Sequence, residues 1–177
     1  MPDYRKKKPK LKNDEPGLGR VLGRVGIVTR QPLFWLGVTA ILATSCGPKG
    51  KLAARRGVVC YLTGAVLGNL PKPLFGRPQP RHRRPKKPQI IFGAFPSGHS
   101  AAEGAYVFGA SMEMPSVFVP LGFSAMIGHW ALVRARKHYD SDIIAGGLIG
   151  LGIALAAARL WPPSGASEVG SRGSLRV

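Results

Sequence analysis

Four stretches of this chain, Leu33–Cys46, Val58–Leu70, Ser116–Val133 and Ile143–Ala158, contain no Lys, Arg, Asp or Glu. Hydrocarbon can solvate neither a charge nor an unpaired backbone amide, so uncharged apolar runs of this kind predict helices that cross a bilayer. A mean hydropathy of +0.04 hides the pattern, because the polar residues are segregated rather than interspersed.

Residues 1–16 are rich in Lys, Pro and Asp and lack apolar periodicity, which predicts a disordered basic tail. From Leu18 to Ile27, Leu18, Val21, Leu22 and Val25 recur at helical spacing, with Arg20 and Arg24 on another face. That pattern predicts an amphipathic helix lying at the interface. Five spans follow, at about 32–46, 52–70, 97–112, 115–133 and 142–161. The expected fold is therefore all-α: an integral membrane bundle of about five transmembrane helices plus the amino-terminal interfacial helix. The membrane domain would run over 17–162 and a flexible carboxyl-terminal tail over 163–177. Several spans are short of the roughly 20 residues a perpendicular helix needs, which requires Arg55, Arg56 and Arg159 to snorkel or the bilayer to thin. The abundant Gly and Ala, as in Gly146-Gly147, Gly150 and Gly152, suit close helix approach and permit homo-oligomers.

A net charge of +18 suits either nucleic acid or an anionic lipid surface. The cations gather at Arg5–Lys12, Arg20–Arg30 and Lys72–Lys87, all beside apolar runs, which favours the membrane and argues against nucleic acid. The same clusters, with Arg134, Arg136 and Lys137, put most charge on one side if the amino terminus is inside. The positive-inside rule then predicts a multi-pass cell (inner) membrane protein whose polar loops of interest face the cytoplasm. Cys46 and Cys60 are too few for a disulfide framework or zinc site and read as buried small hydrophobes. Ala43-Thr44-Ser45-Cys46 resembles a lipoprotein cleavage site, but the thirty mostly polar residues ahead of its apolar stretch argue against one.

Three segments on that one side hold the unusual residues: Lys72–Pro78, Pro96-Ser97-Gly98-His99-Ser100, and Arg134–Asp142. A phosphoryl group in transfer carries negative charge on three oxygens, so its site needs converging cations and amide donors, a nucleophile and an acid. Pro96–His99 stands where a polar loop becomes a membrane helix, aiming backbone N–H groups at an anion. His138 and Asp142, four positions apart, allow a carboxylate to hold one ring nitrogen while the other attacks phosphorus. Neither a metal nor a cofactor is required by this arrangement.

Taken together and in order, these segments resemble the type 2 phosphatidic acid phosphatase superfamily, whose motifs run K-x6-R-P, P-S-G-H and S-R-x5-H-x3-D. Pro96–His99 matches the second motif letter for letter, and His138-x3-Asp142 matches half of the third. The resemblance spans about Lys72–Gly147. It implies that His138 is the nucleophile forming a phosphohistidine, that Asp142 orients it, and that His99 protonates the departing alkoxide. It also implies phosphate contacts from Lys72, Ser97 and Gly98, and Arg77 matches an additional Gly-Arg of the first motif. Two motif arginines are missing, at Gln79 and Leu132. Arg134 and Arg136 are the candidates to supply the lost phosphate-binding charge. The expected substrate is a lipid phosphomonoester.

Glu103, four residues after His99 on the same helix face, either tunes that acid, binds a polar headgroup or faces a neighbouring helix. His129 reads as an interhelical hydrogen-bond partner, and Asp140 as solvated. Family members acting on polyprenyl-phosphate sugars such as decaprenylphosphoryl-5-phosphoribose make a polyprenyl-linked sugar phosphate the leading substrate. Phosphatidylglycerol phosphate, phosphatidate and polyprenyl pyrophosphate are alternatives. Alternatives of another kind are an inactive homologue and a non-catalytic scaffold binding anionic lipid.

Overall fold

The computed structural model describes residues 17–75, 77–80 and 93–164. The basic tail 1–16, the connector over 81–92 and residues 165–177 lie outside the described residues. Within them the chain is helical, in the order α1 (Gly17–Thr29), α2 (Pro32–Ser45), α3 (Gly47–Leu67), the short α4 (Lys72–Phe75), α5 (Gly98–Glu113), α6 (Phe118–Arg134) and α7 (Asp140–Leu160). A 3-10 turn at Pro115–Val117 leads into α6. Prolines open α2, α3 and this turn, where a missing N–H costs nothing because first-turn amides have no intrahelical partner.

The all-α membrane bundle is borne out, with a smaller count of spans. Pro115–Arg134 and Asp140–Leu160 are long and apolar enough to cross a membrane; α1 and α2, bent by 74°, make a third if counted together. Five were expected. The difference has two causes. The first half of α3 carries Lys49, Lys51, Arg55 and Arg56, and α5 has only 16 residues, with polar Glu103 and Glu113 among them. Outward faces of α6 and α7 expose Val119, Phe123, Met126, Ile144 and Leu148, as helices do when lipid is their solvent. The bend at residues 30–31 separates α1 from α2, in keeping with an interfacial first helix.

α5 is the central element, gripped by small residues on two sides. A Cβ at Gly64 or Gly68 of the α3 end would strike Ala101, at 2.7 Å from its carbonyl oxygen and 2.5 Å from its Cβ respectively. On the other side a Cβ at Gly146 would collide with the Ser97 carbonyl and one at Gly150 would come within 2.6 Å of the Ala105 nitrogen. Backbone-to-backbone approach of this kind sets α5 rigidly against α3 and α7. An aromatic cluster completes the core: Trp35 of α2 lies 5.0 Å from the Tyr106 ring, centroid to centroid. Thr39 Oγ1 donates to the Trp35 carbonyl at 2.7 Å, leaving the Tyr106 hydroxyl to donate to Thr39 at 2.9 Å.

At the far end of α5 a buried ion pair joins it to α3. Arg56 Nε donates to Glu113 Oε1 at 2.7 Å, and Ser164 donates to Oε2 from its hydroxyl (2.7 Å) and its amide (3.1 Å). The Arg56 guanidinium also stacks on Trp161, 4.3 Å from the ring centroid. Fifteen residues of helix, about 22 Å at 1.5 Å each, separate this lock from the amino-terminal end where the motif residues gather.

Candidate active site

α5 starts at the P-S-G-H segment because Ser97, in extended conformation, caps it: its hydroxyl oxygen accepts from the Ser100 amide at 3.3 Å and the Ser100 hydroxyl at 3.0 Å. α7 starts at Asp140 because the Asp142 side chain turns back to accept from the Tyr139 amide at 2.8 Å, half of a capping box. One backbone bond, Ser97 N–H to the Asp142 carbonyl at 3.0 Å, ties these two starts together. Two motifs more than forty residues apart thereby share one end of the bundle.

Arg77, from the segment Lys72–Pro78, joins that segment to the start of α7. Its Nη1 donates to Asp142 Oδ1 and to Ser141 Oγ, each at 2.8 Å, and its guanidinium stacks on Tyr139 at 4.1 Å. The Arg77 carbonyl accepts from the Ala94 amide at 2.8 Å, which brings residue 94 to the site. The Ala94 carbonyl in turn lies 2.8 Å from His138 Nδ1. Since a carbonyl only accepts, Nδ1 carries the proton and Nε2 is left with its lone pair.

This revises how Asp142 acts. The spacing of His138 and Asp142 suggested a carboxylate bonded to the ring, but Oδ2 is 3.6 Å from Nδ1, beyond hydrogen-bond length. Both its oxygens are engaged elsewhere, by Arg77 and by the Tyr139 amide, because residue 142 sits in the third helical position that a capping box requires. The ring is oriented by the main chain of residue 94, while the fully buried carboxylate contributes through its charge. Burial pushes His138 below the usual histidine range and the Lys72 charge acts in the same sense; the Ala94 carbonyl and Asp142 oppose both. Lys72 is itself shifted down by burial, a half-buried ammonium beside the imidazoles.

His99 is exposed in the first turn of α5, within electrostatic reach of His138. The cations whose charge reaches it are Arg30, Lys72 and Lys137. Lys137 adjoins the motif residue His138, a signal present in the sequence; Arg30, more than forty residues from any motif, gives no sign in it. Arg134 and Arg136 occupy other positions: Arg134 stacks on Trp130 at 4.8 Å, and Arg136 is exposed with φ +51°. Gly98 is held against Asn69, whose amide atoms would lie within 2.7 Å of a Cβ there, so the motif glycine answers a close approach. Glu103 is buried with its carboxylate 3.0 Å from His129 Nε2, an interhelical charge contact that lacks the alignment of the hydrogen bond expected for that histidine. Among the described residues no group of three His, Cys, Asp or Glu side chains comes together as a metal site would need.

Over 108 residues the chain is 31% identical to a lipid A 1-phosphatase of Rhizobium johnstonii, an alignment covering 56% of this chain and 44% of that protein. The chain thus spans less than half the length of that relative. No solved structure matches it. The model of the PAP2 superfamily matches residues 54–165, which include Lys72, Arg77, the P-S-G-H turn and the His138–Asp142 segment, and on that match the chain belongs to the PAP2 superfamily.

Proposed function

We propose that this protein is a membrane lipid phosphatase that hydrolyses a phosphomonoester through a phosphohistidine on His138. The observation that carries the reading is the bond from His138 Nδ1 to the Ala94 carbonyl, which leaves Nε2 unprotonated beside a second imidazole and several cations. Nε2 attacks phosphorus and the P–O bond to the lipid breaks. His99 gives its proton to the leaving oxygen, then takes one from the water that cleaves the N–P bond, restoring both imidazoles. Lys72, Ser97, Gly98 and the amides at the start of α5 hold the phosphate oxygens. Lys137 and Arg30 add positive charge, and Arg77 positions Asp142 while remaining within the same polar cluster. Arg134 and Arg136 fit this reading less well than the sequence suggested.

Phosphate release from a lipid phosphomonoester in detergent with chelator present is the test. The His138→Ala protein should release none, and acid-labile, base-stable label should appear on the wild type alone. Equal release by both proteins would refute the mechanism and favour a non-catalytic lipid-binding role. A polyprenyl-linked sugar phosphate remains the leading substrate, and the relative named for lipid A 1-phosphate supports a lipid-borne phosphate in general. Phosphatidate, phosphatidylglycerol phosphate and polyprenyl pyrophosphate are the rivals. The basic clusters beside the site support an inner-membrane protein with this end in the cytoplasm.

A further inference from the structure

A groove of about 510 Å³ runs between α5, α6 and α7. One end reaches Ser100, the neighbour of His99 that bonds to the Ser97 cap; the other reaches Phe118 and Val119 at the start of α6. Its wall is almost wholly apolar, and glycines keep it clear. A side chain at Gly122 or Gly147 would meet nothing within 4 Å, in contrast to Gly146 and Gly150, which are locked against α5. Open glycines facing a groove between two lipid-exposed helices serve space rather than packing.

The exception in that wall is polar. His129 of α6 lines the groove, and Glu103 of α5, only 1% exposed, stands beside it. Although Nε2 and Oε2 are 3.0 Å apart, the pair is not aligned as a hydrogen bond: both Glu103 oxygens and His129 Nε2 are buried without a hydrogen-bond partner. Unsatisfied polar atoms at this depth are costly unless something fills their capacity. Arg30, at the corner between α1 and α2, packs its Cβ 3.6 Å from where a Gly128 side chain would start and adds its charge to Glu103. Glu103 follows His99 by one helical turn, about 6 Å further along α5.

We propose that Glu103 and His129 form a second polar subsite that bonds a hydroxyl of the substrate between its phosphate and its hydrocarbon chain, while the groove takes the chain itself. The proposal rests on the lipid phosphatase reading and narrows it to lipid phosphates carrying a hydroxyl within about 6 Å of phosphorus, one helical turn. The groove reaches Ser100, the residue that follows His99, so the occupant proposed for it is the tail of the molecule whose phosphate lies at His138. Glu103 accepts from the hydroxyl proton and His129 meets its oxygen, which fills the capacity the pair leaves unused.

A matched pair of substrates tests this: 1-acyl-glycerol 3-phosphate and its 2-deoxy counterpart of the same acyl chain, hydrolysed by one preparation of the detergent-solubilised full chain. Wild type should prefer the hydroxylated lipid in kcat/KM by roughly tenfold, the discrimination expected when a buried site loses a hydrogen-bonded hydroxyl. In Glu103→Gln and in His129→Gln the ratio should fall to within about twofold of one, on the same scale. Any misfolded fraction cancels in the ratio, and if Glu103→Gln proves wholly inactive the His129→Gln ratio decides. A wild-type ratio near one, or a preference unchanged in the variants, overturns the subsite while leaving the phosphatase reading intact. Release from neither lipid by wild type, nor from any prenyl phosphate, would overturn both.

Discussion

Replacing Arg77 by Met separates the two things this arginine could do. The substitution keeps much of the side-chain volume but removes two bonds of 2.8 Å, one to Ser141 and one to the wholly buried Asp142 carboxylate. Breaking a buried pair by removing one partner costs about 3 to 5 kcal/mol. The Arg77 side chain is 37% exposed, so solvent screens part of this, and the Tyr139 amide still holds Oδ2; about 2 kcal/mol is the expected net loss. If the loss falls on the geometry of His138 in the transition state, kcat should drop roughly 30-fold, at about 1.4 kcal/mol per factor of ten. Arg77→Lys keeps the charge but not the fork and should fall between. Initial rates of phosphate release in detergent, with thermal unfolding followed by tryptophan fluorescence, give both readings. A variant within twofold of wild type in kcat and unchanged in Tm would refute the idea that Arg77 holds the nucleophile's loop through Asp142.

Three further outcomes are expected. His138 must be neutral to attack and its folded value lies below 6.5, so kcat should hold down to about pH 6.5 and fall only in more acid solution; a decline that begins well above pH 7 on the acid limb would contradict this. The sign for stability is the same: a group with a depressed folded pKa binds fewer protons than the unfolded chain, so its contribution is complete above 6.5 and lost as pH falls through the folded value. Gly146→Val should force α7 from the Ser97 carbonyl and Ser100, lowering kcat at least tenfold, an estimate for misplaced groups, while tail binding read from KM changes less; wild-type kcat would show the contact to be slack. Arg56→Met strands Glu113 with Ser164 alone and should cost about 3 kcal/mol, or roughly 6 to 12 °C in Tm, with the active-site rate constant nearly unaffected in the protein that remains folded; an unchanged Tm would sink the claim of a buried lock.

Residues with chemistry of their own were legible because motif spacing is local. His99, His138, Asp142, Lys72 and Arg77 stand out as candidates from the motifs alone, and the uncharged runs announce helices in lipid. The span count was not legible in the same way. The run 52–70 already holds Arg55 and Arg56, and α3 begins at Gly47 and brings Lys49 and Lys51 as well, while α5 is short and lies between its neighbours. Periodicity says that a segment is helical and apolar; it does not say whether lipid or protein surrounds it.

By itself, then, the order of residues determined an all-helical membrane protein of the PAP2 superfamily and which imidazoles are the candidates for its chemistry, because hydropathy and motif spacing are properties of short stretches of chain. Only the tertiary structure decided that His138 is held by the Ala94 carbonyl rather than by Asp142, that Arg77 bridges to the first turn of α7, and that the charges of Arg30 and Lys137 join that of Lys72 at His99. It also decided that Glu103 meets His129 beside a groove. Each of these depends on where helices cross, and crossing is set by glycines at α5 whose meaning appears only when the opposing backbone is in position.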